Sequence, residues 1–372
     1  MSIKSLDLYH LKIPCRSSFS HAKSSRDCSE VILLKLTSDE NFISWGEVMP
    51  REYVTGESIS NIMESDDALN ALDVIGTDID SVDSLQNWVE PLLDHGRERL
   101  ALVGGIELAM WGLLAQTNKP NLDKLIGLPR RSAVGFCYTI GFDCSPEQIR
   151  KFFIAARFQK ATAIKLKVGM DMDRDIHCIQ LLQKYVGKEI QLRLDGNGVF
   201  TMTTAKNLLS AVNTENIHSF EEPLCLQSSD MSCELNELHS LFGIDFMADE
   251  SICSLADADQ LIEAGAYQWF NIRLGKHGGL LASSRIRDKA LAAGVGVVGG
   301  SMVGETSVLT QASTVFLHRS NSIEYIEGLG QNRSWLLTDP FQPLEHQTTD
   351  FLNLQLDQSV LEQCLVEEKN VH

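Results

Sequence analysis

The chain is predicted to be an α/β protein, a TIM-type βα barrel preceded by a smaller α+β domain. Three observations carry this. Beyond residue 130, eight short β-like segments alternate with helical stretches; before residue 125, strands come first and helices after. Charged residues also recur at the ends of successive segments about 24 to 30 residues apart, the length of one strand-plus-helix unit. The 372 residues suit this plan, since such a barrel takes about 250 and leaves roughly 120 for a second domain.

In chain order, Ile3–Leu11 and Val31–Leu36 have strand character, and Trp45-Gly46-Glu47 follows a turn at Ser38-Asp39-Glu40-Asn41. A helical stretch runs from about Arg97 to Gln116, so residues 1–125 form the α+β domain. Pro129-Arg130-Arg131 reads as a linker. The barrel, 126–335, takes its strands from Ala133–Ile140, Ala163–Val168, Gln191–Asp195, Ser219–Glu221, Phe246–Asp249, Trp269–Leu274, Gly296–Gly299 and Ile323–Glu327. Helices are expected over Pro146–Arg157, Asp173–Tyr185, Thr203–Val212, Ala256–Ala264 and Leu280–Ala293. A doubly wound open sheet would use five or six strands and open with a Gly-rich phosphate turn, which this chain lacks. Residues 336–372 lose the barrel rhythm and are expected to pack back on the first domain.

Composition narrows the function. The net charge of −18 opposes binding to nucleic acid or an anionic membrane, so an anionic small molecule would need a local cationic pocket. No apolar stretch of about 18 residues stands out and the N-terminus has no signal-peptide pattern, so a soluble cytoplasmic protein is expected, with a homo-oligomeric assembly. Nine scattered cysteines without a CxxC pair read as reduced structural thiols.

The charged stations carry the chemistry. Residues i and i+2 of a strand point the same way, so Lys165 and Lys167 share one side, as do Asp195 and Asn197. At the C-terminal ends of barrel strands these side chains meet above the barrel mouth, where Asp195, Glu221 and Asp249 form a three-carboxylate cage. Any one of these acids could be a solvated loop charge, but three at successive strand ends beside a Lys-x-Lys point to a site. All-oxygen ligation favours Mg²⁺ or Mn²⁺ over zinc. Two lysines facing inward are costly unless something anionic lies between them, and a carboxylate substrate would serve.

Joined together, Ser44-Trp45-Gly46-Glu47, Ile164-Lys165-Leu166-Lys167, Asp195-Gly196-Asn197-Gly198, Phe220-Glu221-Glu222-Pro223-Leu224, Ala248-Asp249-Glu250-Ser251 and the segment from Asn271 to Leu280 span almost the entire chain. In these motifs the chain resembles the enolase superfamily, in its mandelate racemase/muconate lactonizing enzyme family. The branch it is similar to includes o-succinylbenzoate synthases, dipeptide epimerases and N-acylamino acid racemases. The resemblance implies a modified TIM (βα)7β barrel with an N-terminal capping domain. It implies Mg²⁺ on Asp195, Glu221 and Asp249, with Asn197 and Glu250 supporting those ligands. Lys167 would remove the proton α to a metal-bound carboxylate, and Lys165 would help hold that carboxylate. Stabilising the enediolate as its charge develops is what lowers the barrier.

One position departs from the pattern. Where the family reads Ile-Lys-Leu, this chain reads Ile272-Arg273-Leu274. The family's lysine is the second base, on the opposite substrate face; arginine, with a pKa of about 12.5 to 13.8, is a poor proton acceptor but a good fork-shaped partner for carboxylates. The expected activity is therefore a one-base lyase or isomerase reaction on an N-acyl amino acid or related acid. An amino-acid or dipeptide racemase or epimerase is the alternative, and a non-catalytic metal- and ligand-binding barrel the third. Lys276 could substitute as a second base, but it lies three residues later in the Lys-x-Gly-Gly turn and should point away from Lys167; the alternative for Arg273 is a structural ion pair with Glu250 and no contact to substrate. For the distal end of the substrate, the resemblance points to His21, Arg51 and Tyr53 in two turn-rich lid segments, to Ser301 and Met302 with Glu305, and to Glu324 and Glu327. The Asp-x-Asp pair of dipeptide epimerases has no counterpart in Ile323-Glu324-Tyr325-Ile326-Glu327-Gly328.

Overall fold

The computed structural model describes residues 1–21, 24–70, 72–93, 97–117, 134–187, 189–225, 230–328, 335–343 and 354–371. The first strands are β1 (Ile3–His21), β2 (Ser24–Ser38) and β3 (Ile43–Val48), in antiparallel succession. Val31 through Leu34 are consecutive and fully buried, because both faces of this sheet are covered. The Ser38–Asn41 turn closes as expected, with the Ser38 hydroxyl accepting from Phe42 N at 3.0 Å and Asn41 at φ 66°. Both strands run well beyond the segments expected from sequence. The Phe19–His21 stretch, expected to be a lid loop, is the end of β1, where His21 pairs with Ser24. The linker at Pro129–Arg131 lies outside the described residues.

The helix Leu100–Thr117 corrects the reading of the chain's apolar content. It is 18 residues long and by length and composition could cross a membrane, yet Leu100 through Leu114 are all buried within the fold. It is wedged between β3 and the barrel, and glycines make the wedge fit. A Cβ on Gly46 would fall 1.9 Å from the Gly105 carbonyl oxygen, and one on Gly104 2.7 Å from Gly279 N.

Two buried carboxylates tie this first domain to the barrel by capping barrel helices. Glu107 accepts from Leu281 N at 2.9 Å, from Leu280 N at 2.5 Å and from the Trp111 indole at 2.9 Å. Glu47 accepts from Thr306 N, the Thr306 hydroxyl and Leu309 N at 2.8, 2.7 and 3.0 Å. Each places an acid at a helix N-terminus, where unpaired N–H groups and the helix dipole favour it. Burial nevertheless pushes both acids up to about 7. Glu107→Ala would orphan three buried donors; we expect a loss of about 3 kcal/mol, read as a lower urea midpoint at unchanged slope.

The barrel strands are β4 (Gly135–Ile140), β5 (Ala163–Lys167), β6 (Gln191–Asp195), β7 (Ser219–Glu221), β8 (Asp245–Ala248), β9 (Trp269–Ile272), β10 (Gly296–Gly299) and β11 (Ile323–Glu327). All neighbours are parallel, and β11 returns to β4 to close the ring. Helices follow β4 through β10, in the modified (βα)7β plan. Two of them, Met231–Phe242 and Ser307–Arg319, fall in segments the sequence reading left unassigned. Alternation sends Cys137, Ala163, Met247, Val298 and Tyr325 into the barrel, where they form one apolar cluster below the mouth. After the barrel come β12 (Phe341–Pro343), paired with β13 (Leu354–Leu356), and β14 (Leu365–Val371). Strand β14 adds to the first sheet beside β1, from Leu6 opposite Val371 to Leu11 opposite Leu365.

Candidate active site at the barrel mouth

Strand register assembles the site. Lys167 lies opposite Asp195, and Asp195 opposite Glu221, so three functional side chains end their strands at one level. Asp249 follows directly after β8 and Arg273 after β9. Lys165, Lys167, Asp195, Glu221, Asp249, Asn197 and Glu250 are all buried.

The two lysines have different surroundings. Lys165 lies among carboxylates, 3.2 Å from Asp195 Oδ2 and 3.3 Å from Glu221 Oε1, and it also contacts Glu327. Burial opposes its charge, but these three acids raise its pKa well above the ordinary value. Lys167 sits higher, donating to Asn197 Oδ1 at 2.8 Å, with Asp195 Oδ2 at 3.6 Å and the Phe142 ring 5.3 Å from its nitrogen.

Arg273 is ion-paired with Asp249 and lies 3.5 Å from Glu221 and 3.9 Å from Glu327. The ion-pair partner is thus Asp249 just beyond the neighbouring strand, with Glu221 and Glu327 farther off, in place of the alternative partner Glu250. Gly300 makes room, since a Cβ there would come within 2.9 Å of the Arg273 side chain. Lys276 is not aimed at the mouth: its buried ammonium sits on Asp249 Oδ1 at 2.6 Å and on the Asp249 carbonyl. Burial works against the charge of Asp249, but Arg273, Lys276 and Lys165 outweigh it and hold the carboxyl far below the usual range. Asp195 is likewise brought down to about 2, with Lys165 and Lys167 outweighing burial. Glu221 goes the other way: burial first, then Glu327 and Asp195, push it well up in spite of Lys165.

Several important residues were not singled out from sequence. Arg193 is fully buried inside the barrel and forks between Glu221 Oε2 at 2.6 Å and Glu327 Oε2 at 3.0 Å. It stands two residues before Asp195 on β6, and that shared face was its signal in the sequence. Glu222, at φ 36°, accepts from Asp249 N and Ser251 N, both at 2.7 Å, and so shapes the turn that carries Asp249. Arg97, from the first domain, grips the same turn by donating to the carbonyls of Glu250 at 3.2 Å and Ser251 at 2.7 Å.

The distal residues divide. Ser301 and Met302 are buried at the exit of β10, and Glu305 accepts from Met302 N at 2.9 Å, with burial pushing it up to about 8. Glu327 points inward. Glu324 does not belong with it: one strand position out of phase, it is exposed at the opposite end of the barrel, 4.0 Å from His218. Arg51 is buried and donates to the carbonyls of Glu30 at 3.2 Å and Pro50 at 2.8 Å, and Tyr53 is half-buried. The side chain of His21 lies outside the described residues.

Among the described residues, no three of His, Cys, Asp and Glu stand together at metal-holding spacing. Lys165, Arg273 and Lys276 instead hold the oxygens of Asp195, Glu221 and Asp249, because buried carboxylates must be paired. The donor set still fits a hard divalent cation. It is all oxygen, it comes from three adjacent strands, two of its acids are held ionised, and the upward push on Glu221, from burial first and then from Glu327 and Asp195, is one that a nearby cation would oppose.

Comparison with known proteins agrees with this geometry. The Enolase C-terminal domain-like family matches residues 148–349, more than half of the chain. The L-amino acid-D/L-Glu epimerase of Francisella philomiragia is 26% identical over 311 residues, covering 82% of this chain and 84% of that protein. Among solved structures, the N-succinyl Arg/Lys racemase of Bacillus cereus superimposes with a TM-score of 0.85 at 22% identity over 100% of both chains. The muconate lactonizing enzyme of Pseudomonas putida gives 0.82 at 22% identity over 98% of this chain and 100% of that one. A barrel whose mouth carries Lys-x-Lys and three acids on consecutive strands, matched by that family model, places the chain in the enolase superfamily, in its mandelate racemase/muconate lactonizing enzyme branch.

Proposed function

We propose that this isomerase of the enolase superfamily removes the α-proton of a small carboxylate, an N-acyl amino acid or related acid, with Lys167 as its single base. The observation that carries this reading is the inequality of the two flanks of the mouth. Lys167 presents an amine on one side, while the other side holds Arg273, whose guanidinium is paired with Asp249 and kept protonated by the surrounding acids, although burial opposes its charge. Asp195, Glu221 and Asp249 would hold Mg²⁺, with Mn²⁺ as a substitute. When bound, the ion would neutralise the charge that develops on the substrate carboxylate.

The chain's own groups do the rest. Lys167 Nζ takes the proton as the C–H electron pair moves toward the substrate carboxylate. Lys165 supplies a fixed positive charge beside that carboxylate, and Arg273 a second. The proton on Lys167 then returns to the same face, which exchanges the hydrogen without net change, or the electron pair returns to form a Cα–Cβ double bond as a β-substituent departs with the pair of its own bond. The three-part division at 1–125, 126–335 and 336–372 belongs to this reading, supported by the pairing of β14 with β1.

The relatives' names favour a second reading, epimerisation of an amino-acid derivative, in which Arg273 would have to deliver a proton. Incubation with Mg²⁺ and N-acyl amino acids, dipeptides and acid sugars in D₂O separates the two. Deuterium entering one enantiomer without loss of optical rotation supports the one-base scheme; interconversion of both enantiomers would overturn it. Arg273→Lys restores an amine on the second face, and we expect this variant to gain interconversion that the parent lacks, followed by polarimetry.

A further inference from the structure

Beside the support for the metal ligands that the resemblance implies, the side chains of Asn197 and Glu250 form a chain of contacts that ends on Lys167. Asn197 follows Asp195-Gly196 in the left-handed region, at φ 45°, a conformation asparagine tolerates better than most residues. Its backbone N–H donates to Asp195 Oδ1 at 3.1 Å, which anchors the residue. Its side-chain amide is held at both ends, with Oδ1 accepting from Lys167 Nζ at 2.8 Å and Nδ2 donating to Glu250 Oε1 at 3.2 Å. An amide has one acceptor end and one donor end, so the partner at one end decides which end faces the other. Glu250 Oε1 accepts at the donor end, and with that partner the amide oxygen faces Lys167.

We propose that Glu250 and Asn197 are positioning residues for the base: Glu250 selects the orientation of the Asn197 amide, and the amide oxygen takes one N–H of Lys167 so that the nitrogen lone pair faces the substrate. A neutral lysine amine has two N–H groups and one lone pair. Asn197 Oδ1 at 2.8 Å and Asp195 Oδ2 at 3.6 Å would take N–H groups on this flank, an arrangement that favours a lone pair directed at the substrate. If the amide were reversed, its NH₂ would face Lys167 and compete for that lone pair. This inference rests on Lys167 being the base.

Glu250→Gln tests it, because glutamine can donate its own NH₂ to Asn197 Oδ1 and so favour the reversed amide. Deuterium wash-in to a substrate that the parent enzyme exchanges is measured as kcat and KM, beside Mg²⁺ affinity by calorimetry and Tm. We expect kcat to fall on the order of 10–100-fold, the usual cost of losing an orienting partner, with KM and Mg²⁺ affinity within about twofold of the parent. Unchanged kcat, or a loss explained by weaker Mg²⁺ binding, overturns the proposal. Asn197→Ala keeps the test decisive if Glu250→Gln folds poorly. The alanine variant should lose a similar factor, and adding Glu250→Gln to it should cost nothing further in kcat, whereas independent additive losses would show that Glu250 does not act through Asn197. If Lys167→Ala keeps wild-type exchange, it is the assignment of the base that fails; if that variant is dead and Glu250→Gln is normal, only this inference does.

Discussion

Lys167→Ala is expected to reduce α-proton exchange by about 10²- to 10⁴-fold, the usual contribution of a positioned general base. No other described amine can take its place. Lys165 is engaged with Asp195, Glu221 and Glu327, and Lys276 is clasped to Asp249. Lys167 is buried beside Asp195, which keeps Lys165 at 3.2 Å, so its loss should lower Tm by less than a loss of Arg193 would, and Tm measured beside exchange separates chemistry from folding. Exchange at the parental rate in a folded Lys167→Ala protein would refute the assignment of the base.

Arg193→Leu should produce the largest loss of stability. The guanidinium is fully buried and is the shared partner of Glu221 and Glu327, at 2.6 and 3.0 Å. Removing it leaves two buried acids with one fewer cation, and breaking such a network from one side costs about 3–5 kcal/mol. For a protein of this size that corresponds to a fall in Tm of about 4–6 °C, measurable by calorimetry. Arg193→Lys should recover only part of the loss, since a single ammonium cannot fork between two carboxylates. An unchanged Tm for Arg193→Leu would mean that Lys165 and Arg273 alone satisfy those acids.

The barrel was legible because its strands announce themselves twice, by short β-like runs and by the charged residue that ends each one. Periodicity served less well for helices such as Met231–Phe242, where Leu235 and Leu238 are the fully buried positions on an otherwise polar segment. It also failed at Glu324 and Glu327. They lie three apart on one strand, so they cannot share a face, and only Glu327 enters the barrel. The apolar helix Leu100–Thr117 escaped notice as a spanning-length segment because Glu107 and its glycines interrupt the run, and those are the residues that fit it between sheet and barrel.

By itself, the sequence determined the order of the elements, the level at which the acids and lysines end their strands, and the exchange of lysine for arginine at position 273. These follow from local rules, the two-residue alternation of a strand and the fixed proton of a guanidinium. The tertiary structure alone decided which charge faces which. It gave Arg273 to Asp249 rather than to Glu250, brought Arg193 into the middle of the acids, and set Glu250 behind Asn197 and Asn197 behind Lys167. Pairing among buried charges depends on distances across the barrel, between residues tens of positions apart, and no pattern along a single strand contains those distances.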